Sequence, residues 1–152
     1  MTPGGLSARV VADRVAMVRG LLRDIRGLPL DDFGIFAADR RNVWAAESCL
    51  RRSLEALFDL SRHILSKGFG LGVAEYKVIA VQLQADGVLP TEEAAILRIL
   101  AGYRNRLVHY YNEISEEELY QVCSSQLGDV ERVLTAIENW ILAHPELMDR
   151  HL

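Results

Sequence analysis

The feature that most constrains the fold is an apolar pattern from about Asp39 to Lys67. Val43, Ala46, Leu50, Leu54, Leu57, Ser61 and Ile64 recur there at three- and four-residue spacing. At about 100° per residue these positions share one face of a helix, and Arg51, Arg52, Glu55, Asp59 and Arg62 fall on the other. A helix this long with one apolar stripe must be covered by other elements, and the remaining sequence offers helices to do it. Val11, Val15, Val18, Leu22 and Ile25 give a first helix over residues 7–26, ended by Gly27-Leu28-Pro29. A looser segment follows from Asp31 to Phe36, and Gly68, Gly70 and Gly72 close the long helix.

A shorter helix over residues 74–85 carries Ile79 and Leu83 before Gly87 and Pro90 break it. Thr91 is the expected N-cap of a helix reaching about Tyr111, where Asn112 turns the chain. Ser115-Glu116-Glu117-Glu118 reads as a capping box. It opens one last helix with Leu119, Val122, Gln126, Val130, Val133, Ile137 and Ile141 inward and Gly128 as a possible bend. Strand alternation and internal repeats are absent from the sequence, so the expected fold is all-α, an antiparallel bundle of about five helices.

With 152 residues the expected organisation is a single domain, residues 1–152, with residues 1–6 flexible. Half the residues are hydrophobic and a quarter charged, which excludes a disordered chain. A net charge of −4 argues against general coating of nucleic acid and leaves any such contact to local arginine clusters. Cys49 and Cys123 sit at apolar helical positions and read as buried free thiols in a reducing compartment. No apolar run approaches the roughly 18 residues of a membrane span, so the expected location is cytoplasmic.

Candidate chemistry is concentrated in Arg104-Asn105-Arg106-Leu107-Val108-His109-Tyr110-Tyr111. Leu100, Tyr103, Leu107, Tyr110 and Ile114 form one apolar stripe. That phase turns Asn105, His109 and Asn112 away from the core, with Arg104, Val108 and Tyr111 on the flank. An imidazole titrating near neutrality can take a proton from a ribose 2′-hydroxyl, which suits His109. A guanidinium pairs with phosphate oxygens and stabilises the extra charge of a pentacoordinate transition state, which suits Arg104. Asn105, one turn before His109, can orient the imidazole or bind the phosphate, while Arg106 lies nearer the core and suits a structural ion pair. The set is that of RNA cleavage without a metal or other cofactor, and the need for a 2′-hydroxyl makes DNA resistant.

This run resembles the R-(polar)-x-x-x-H-x-Y signature of the HEPN superfamily, in particular the HepT-like toxins of HepT/MntA toxin–antitoxin systems. Ala46-Glu47 before Leu50 and Glu55, Tyr76 after the glycine turn, and Ile114 before the acidic cap agree in order, so the resemblance spans about Asp39 to Ile141. It implies a dimeric helical bundle in which the arginine and histidine of both subunits meet at the two-fold axis as an endoribonuclease site. Val108, apolar on a polar face, then packs across the subunit boundary. It further implies an MntA-like nucleotidyltransferase antitoxin as partner, which silences the toxin by attaching AMP groups to Tyr111. The chain departs from the pattern in residues 67–72, which lack the proline common before the family's tyrosine, and in Trp44, bulkier than usual at its position.

Plainer readings apply to the other polar residues. Asp59 and His63 are spaced to clasp a metal but lack further ligands, so a solvated face is expected. Glu55 is expected to pair with Arg51 or Arg52, and the Arg40-Arg41 and Arg51-Arg52 pairs to be solvated unless they guide RNA. Trp44 and Trp140 read as core or interface, and His144 and His151 as idle at a frayed end. The alternative to an enzyme is a non-catalytic helical module that binds a nucleotide or a nucleotidyltransferase and keeps the motif for recognition.

Overall fold

The computed structural model describes residues 5–109 and 114–151, with His109 described only as the last residue of its helix. The elements are β1 (Leu6–Ser7), α1 (Ala8–Arg26), α2 (Phe33–Ala38), α3 (Arg40–Phe69), α4 (Tyr76–Ala85), α5 (Thr91–His109), α6 (Glu116–Ser125) and α7 (Leu127–Ala143). A 3-10 turn, Pro145–Leu147, and β2 (Met148–Asp149) follow. The all-α class holds, but the described residues form seven α-helices where the sequence pattern suggested about five.

Two elements account for the difference. The segment read as loose contains α2, started by the Asp32 side chain accepting from the Ile35 N–H and anchored by fully buried Phe36. Six residues are too few to display a helical period against the loop around them. The expected last helix is interrupted at Gln126, two residues before Gly128. There Ser125 and Ser124 turn their hydroxyls back to the Gln121 carbonyl at 2.6 and 3.4 Å, competing with the backbone ladder.

The stripe of α3 is the centre of the core. Val43, Ala46, Leu50, Leu54, Leu57, Ser61 and Ile64 are all buried, and Ser61 donates to the Leu57 carbonyl at 2.9 Å. α1 packs along α3, α4 folds back on α5, and α5 in turn lies against α3 and α7. Burying this many Leu, Ile and Phe side chains, each worth about 1.5–3 kcal/mol, holds the bundle together. Surface carboxylates add Arg19–Glu138 and Arg26–Glu131 between α1 and α7, and Arg132–Glu92 at 2.7 Å between α7 and α5.

Helix ends follow sequence chemistry. Gly70 takes the left-handed conformation, φ 68°, that closes α3, with its N–H on Ser66 O and that of Leu71 on Leu65 O. Thr91 is the first residue of α5, so the cap falls one residue earlier, where the Pro90 carbonyl accepts from Ala94 N–H at 3.0 Å. Ser115 caps α6 by accepting from Glu118 N–H at 3.1 Å. The other half of the expected capping box is replaced, because Arg106 donates to both Glu118 carboxylate oxygens at 2.8 and 2.6 Å. The stronger charge-assisted pair wins the carboxylate.

The terminal segments also depart from expectation. Leu6 is fully buried, and Leu6 and Ser7 pair in parallel register with Met148 and Asp149, so the chain is ordered from within the segment read as flexible. Two residues cannot show alternation, which is why no strand was legible. His144 is not idle. Its ring stacks on Trp140 at 4.5 Å and its Nδ1 lies 2.8 Å from the Trp140 carbonyl at the end of α7. Trp140 also packs on Phe69, whereas Trp44 is 58% exposed and is no part of the core.

Candidate functional site at the motif helix

α5 presents the motif because its other faces are occupied. Ala94, Leu97, Leu100, Ala101 and Leu107 are buried, Tyr103 packs against the core edge, and Val108 is 37% exposed. Arg104 and Asn105 are half-buried and line a hollow of about 450 Å³ with Arg62, Ala74, Glu75, Tyr76 and Lys77. The expected outward phase is therefore observed for Arg104, Asn105 and Val108. Arg106 lies elsewhere, paired with Glu118, as its position near the core suggested. That pairing also holds the Glu118 carboxyl below its usual range, chiefly through the Arg106 hydrogen bonds.

The guanidinium of Arg104 is held by an aromatic platform. Its central carbon lies 4.3 Å from the centre of the Tyr76 ring, and Tyr76 is stacked almost parallel, 6°, on Phe58 at 4.4 Å. Arg62, reaching from α3, sets its own guanidinium 5.0 Å from the same ring. It is fixed there by donating to the carbonyls of Val73 and Ala74 at 3.2 and 3.0 Å. Both guanidinium groups thus lie against the same ring. Arg104 Nε is shielded from solvent and makes no hydrogen bond among the described residues.

The side chain of His109 and the whole of Tyr110, Tyr111 and Asn112 lie outside the described residues. Of the expected site residues, Arg104 and Asn105 are brought to one hollow. Sequence reasoning did not place Arg62, Lys77 or Phe58 there, and it singled out Tyr76 only by family likeness. The signal for Arg62 was present as a cation on the polar face of α3, but its partner lies 42 positions later and only tertiary packing joins them.

No cluster of His, Cys, Asp or Glu among the described residues has the arrangement of a metal site. Asp59 pairs with Arg14 and Arg62, each at 3.6 Å, and His63 Nε2 accepts the Ser7 N–H at 2.9 Å. Both are thus occupied structurally. Burial holds the His63 pKa below its ordinary value, helped by the charges of Lys67 and Arg14. Cys49 and Cys123 are free thiols, and burial pushes Cys123 up to about 12, so neither is a thiolate nucleophile near neutrality. Arg51 pairs with Glu55 at 2.9 Å and Arg41 with Asp39 at 2.8 Å, as local pairing predicts.

The bundle of described helices is a HEPN-type fold. It is shared with the tri-AMPylated HEPN toxin of Shewanella oneidensis solved in complex with MNT antitoxin, at a TM-score of 0.76 and 20% identity over 86% of this chain and 97% of that one. A toxin–antitoxin structure with AMP-PNP gives a TM-score of 0.75 at 20% identity, over 84% of this chain and 97% of that one. Bacillus subtilis YutE, described as a cytosolic protein of unknown function, gives 0.76 at 16% identity over 95% of this chain and 96% of that one. No curated protein matches the chain. The family model described as Ribonuclease HepT-like matches residues 20–137, most of the chain, and the protein belongs to that family. No described helix is long and apolar enough to cross a membrane.

Proposed function

We propose that the protein is a metal-independent endoribonuclease toxin. Its dimer-interface cleft carries Arg104, Asn105 and His109, and a partner nucleotidyltransferase antitoxin neutralises it by attaching AMP to Tyr111. The observation that carries this reading is the Arg104 guanidinium, propped on Tyr76 and facing an open hollow beside Asn105, in a chain of the HepT-like ribonuclease family. Arg104 holds the non-bridging oxygens of the scissile phosphate, and Arg62 and Lys77 supply further positive charge to the same hollow. His109 takes the 2′-hydroxyl proton, the 2′-oxygen bonds to phosphorus, and the bond from phosphorus to the 5′-oxygen breaks. The imidazolium then protonates the leaving 5′-oxygen. The products are a 2′,3′-cyclic phosphate and a 5′-hydroxyl end.

The dimer is supported by Val108, an apolar side chain 37% exposed on the motif face, which a second subunit would cover. The antitoxin is supported by fold likeness to toxins solved with one. AMP on Tyr111 would exclude the substrate by charge and bulk. Purified protein is incubated with RNA in chelator beside His109→Ala. Cleavage that survives chelation and is lost in the variant supports the enzyme. Absence of cleavage with retained AMP or antitoxin binding supports the non-catalytic module instead.

A further inference from the structure

A second hollow, about 820 Å³, lies between α1, the C-terminal half of α3 and the loop after Gly70, and is lined by Arg14, Asp59, Arg62, His63, Ser66 and Gly72 among others. It shares Arg62 and Ala74 with the Arg104 hollow, so the two adjoin across Arg62 and together make a trough along this face. The ionised side chains along it are Arg14, Arg62, Lys77 and Arg104 against Asp59 and Glu75. In a chain of net charge −4 this is a local excess of the opposite sign.

Of the cations of the outer hollow, Arg14 is paired with Asp13, which lies outside the lining, and Arg62 donates to the Val73 and Ala74 carbonyls. Asp59 is divided between Arg14 and Arg62 at 3.6 Å each, beyond ordinary hydrogen-bond length. Arg14 Nε is shielded from solvent and makes no hydrogen bond among the described residues. Because His63 accepts the Ser7 N–H at Nε2, its neutral ring carries the proton on Nδ1, a further donor. Among the described lining residues the one aromatic is Tyr76, which is 9% exposed and overlaid by guanidiniums, so it offers no free face to a base. Such a lining reads phosphate and ribose and ignores base identity.

We propose that the outer hollow holds the ribose-phosphate backbone of single-stranded RNA flanking the scissile bond, and that Arg62 links it to the cleavage site. This rests on the ribonuclease reading and adds to it a sequence-indifferent hold on one flank of the substrate. Gly72 offers a clean probe. It is exposed on the rim, and a Cβ added there meets nothing within 4 Å, so its side chain can be changed without disturbing packing.

The test measures anisotropy of labelled oligouridylates of about four and about twelve nucleotides, spanning the usual range of single-strand site sizes, on His109→Ala protein. Gly72→Glu is expected to weaken the longer strand about 5-fold and Gly72→Lys to tighten it, with Gly72→Ala unchanged and the short strand moved less than about 2-fold. Arg14→Gln is expected to reduce the slope of log affinity against log salt by about 0.7, the loss of one phosphate contact. If the protein cleaves RNA but charge at position 72 moves neither strand, the trough proposal is wrong and the nuclease stands. If neither strand binds and no RNA is cut, the nuclease reading fails first and takes the trough with it. Charge at position 72 that changes antitoxin-dependent AMP transfer and not RNA binding overturns it in favour of a protein-docking surface.

Discussion

Replacing Tyr76 separates the platform from everything else that shapes the site. Its ring is buried, parallel to Phe58 at 4.4 Å, and carries two guanidinium groups at 4.3 and 5.0 Å. A stacked aromatic pair contributes about 0.5–1.5 kcal/mol beyond burial, and each partly exposed cation–π contact about 0.5–1 kcal/mol. Tyr76→Leu keeps an apolar side chain and loses all three, so it should destabilise the fold by about 2–3 kcal/mol, allowing for non-additivity. Tyr76→Phe keeps the ring and its quadrupole and should lose less than about 1 kcal/mol. Urea unfolding gives the stability difference, and RNA cleavage under conditions where both variants are folded gives the consequence for Arg104. The leucine variant should lose at least about tenfold in kcat/KM, the equivalent of about 1.4 kcal/mol of misplacement, while the phenylalanine variant stays within about threefold. Equal stability and activity in the two variants would refute the idea that an aromatic face holds the arginine.

Three further outcomes follow from the geometry. His63 is held neutral with its Nε2 accepting from Ser7, and its pKa is lowered by burial, so the unfolded chain binds the extra proton first as pH falls. Stability should therefore be level above the ordinary histidine pKa of about 6.5 and decline below it until the folded-state pKa is passed. Chemical denaturation from pH 8 to pH 5 (about the histidine range) should show that decline in wild type and a smaller one in His63→Gln. Gly70→Ala, at φ 68°, should cost about 1 kcal/mol in thermal or urea unfolding, and Gly72→Ala almost nothing. The Arg106–Glu118 pair is bidentate but about one-third exposed on each side, so a double-mutant cycle with alanine should give a coupling of only about 1 kcal/mol.

What the sequence disclosed was whatever one helix displays by itself. The α3 stripe, the buried Leu100 and Leu107 and the outward Arg104 and Asn105 all follow from the 3.6-residue period, and the ends near Gly27, Gly70 and Ser115 follow from cap chemistry. Features that depend on contacts between distant segments were hidden. The Arg62–Tyr76–Arg104 assembly joins α3, α4 and α5, and the Leu6–Met148 pairing joins the two ends of the chain. The break at Gln126 was legible only as a bend at Gly128, because the Ser124 and Ser125 hydroxyls turn back to the Gln121 carbonyl ahead of that glycine. His144 was misread although its four-residue spacing from Trp140 was plain, because proximity to the terminus outweighed the local pattern.

The most direct test of the proposed chemistry uses an RNA cut at one known position, resynthesised with a single 2′-deoxynucleotide on the 5′ side of that bond. Cleavage there should stop while other bonds are still cut, and the unmodified RNA should yield 2′,3′-cyclic phosphate and 5′-hydroxyl ends in the presence of chelator. Continued cutting at the deoxy position, or 5′-phosphate ends, would contradict a histidine-activated 2′-oxygen and with it the role given to Arg104 and His109.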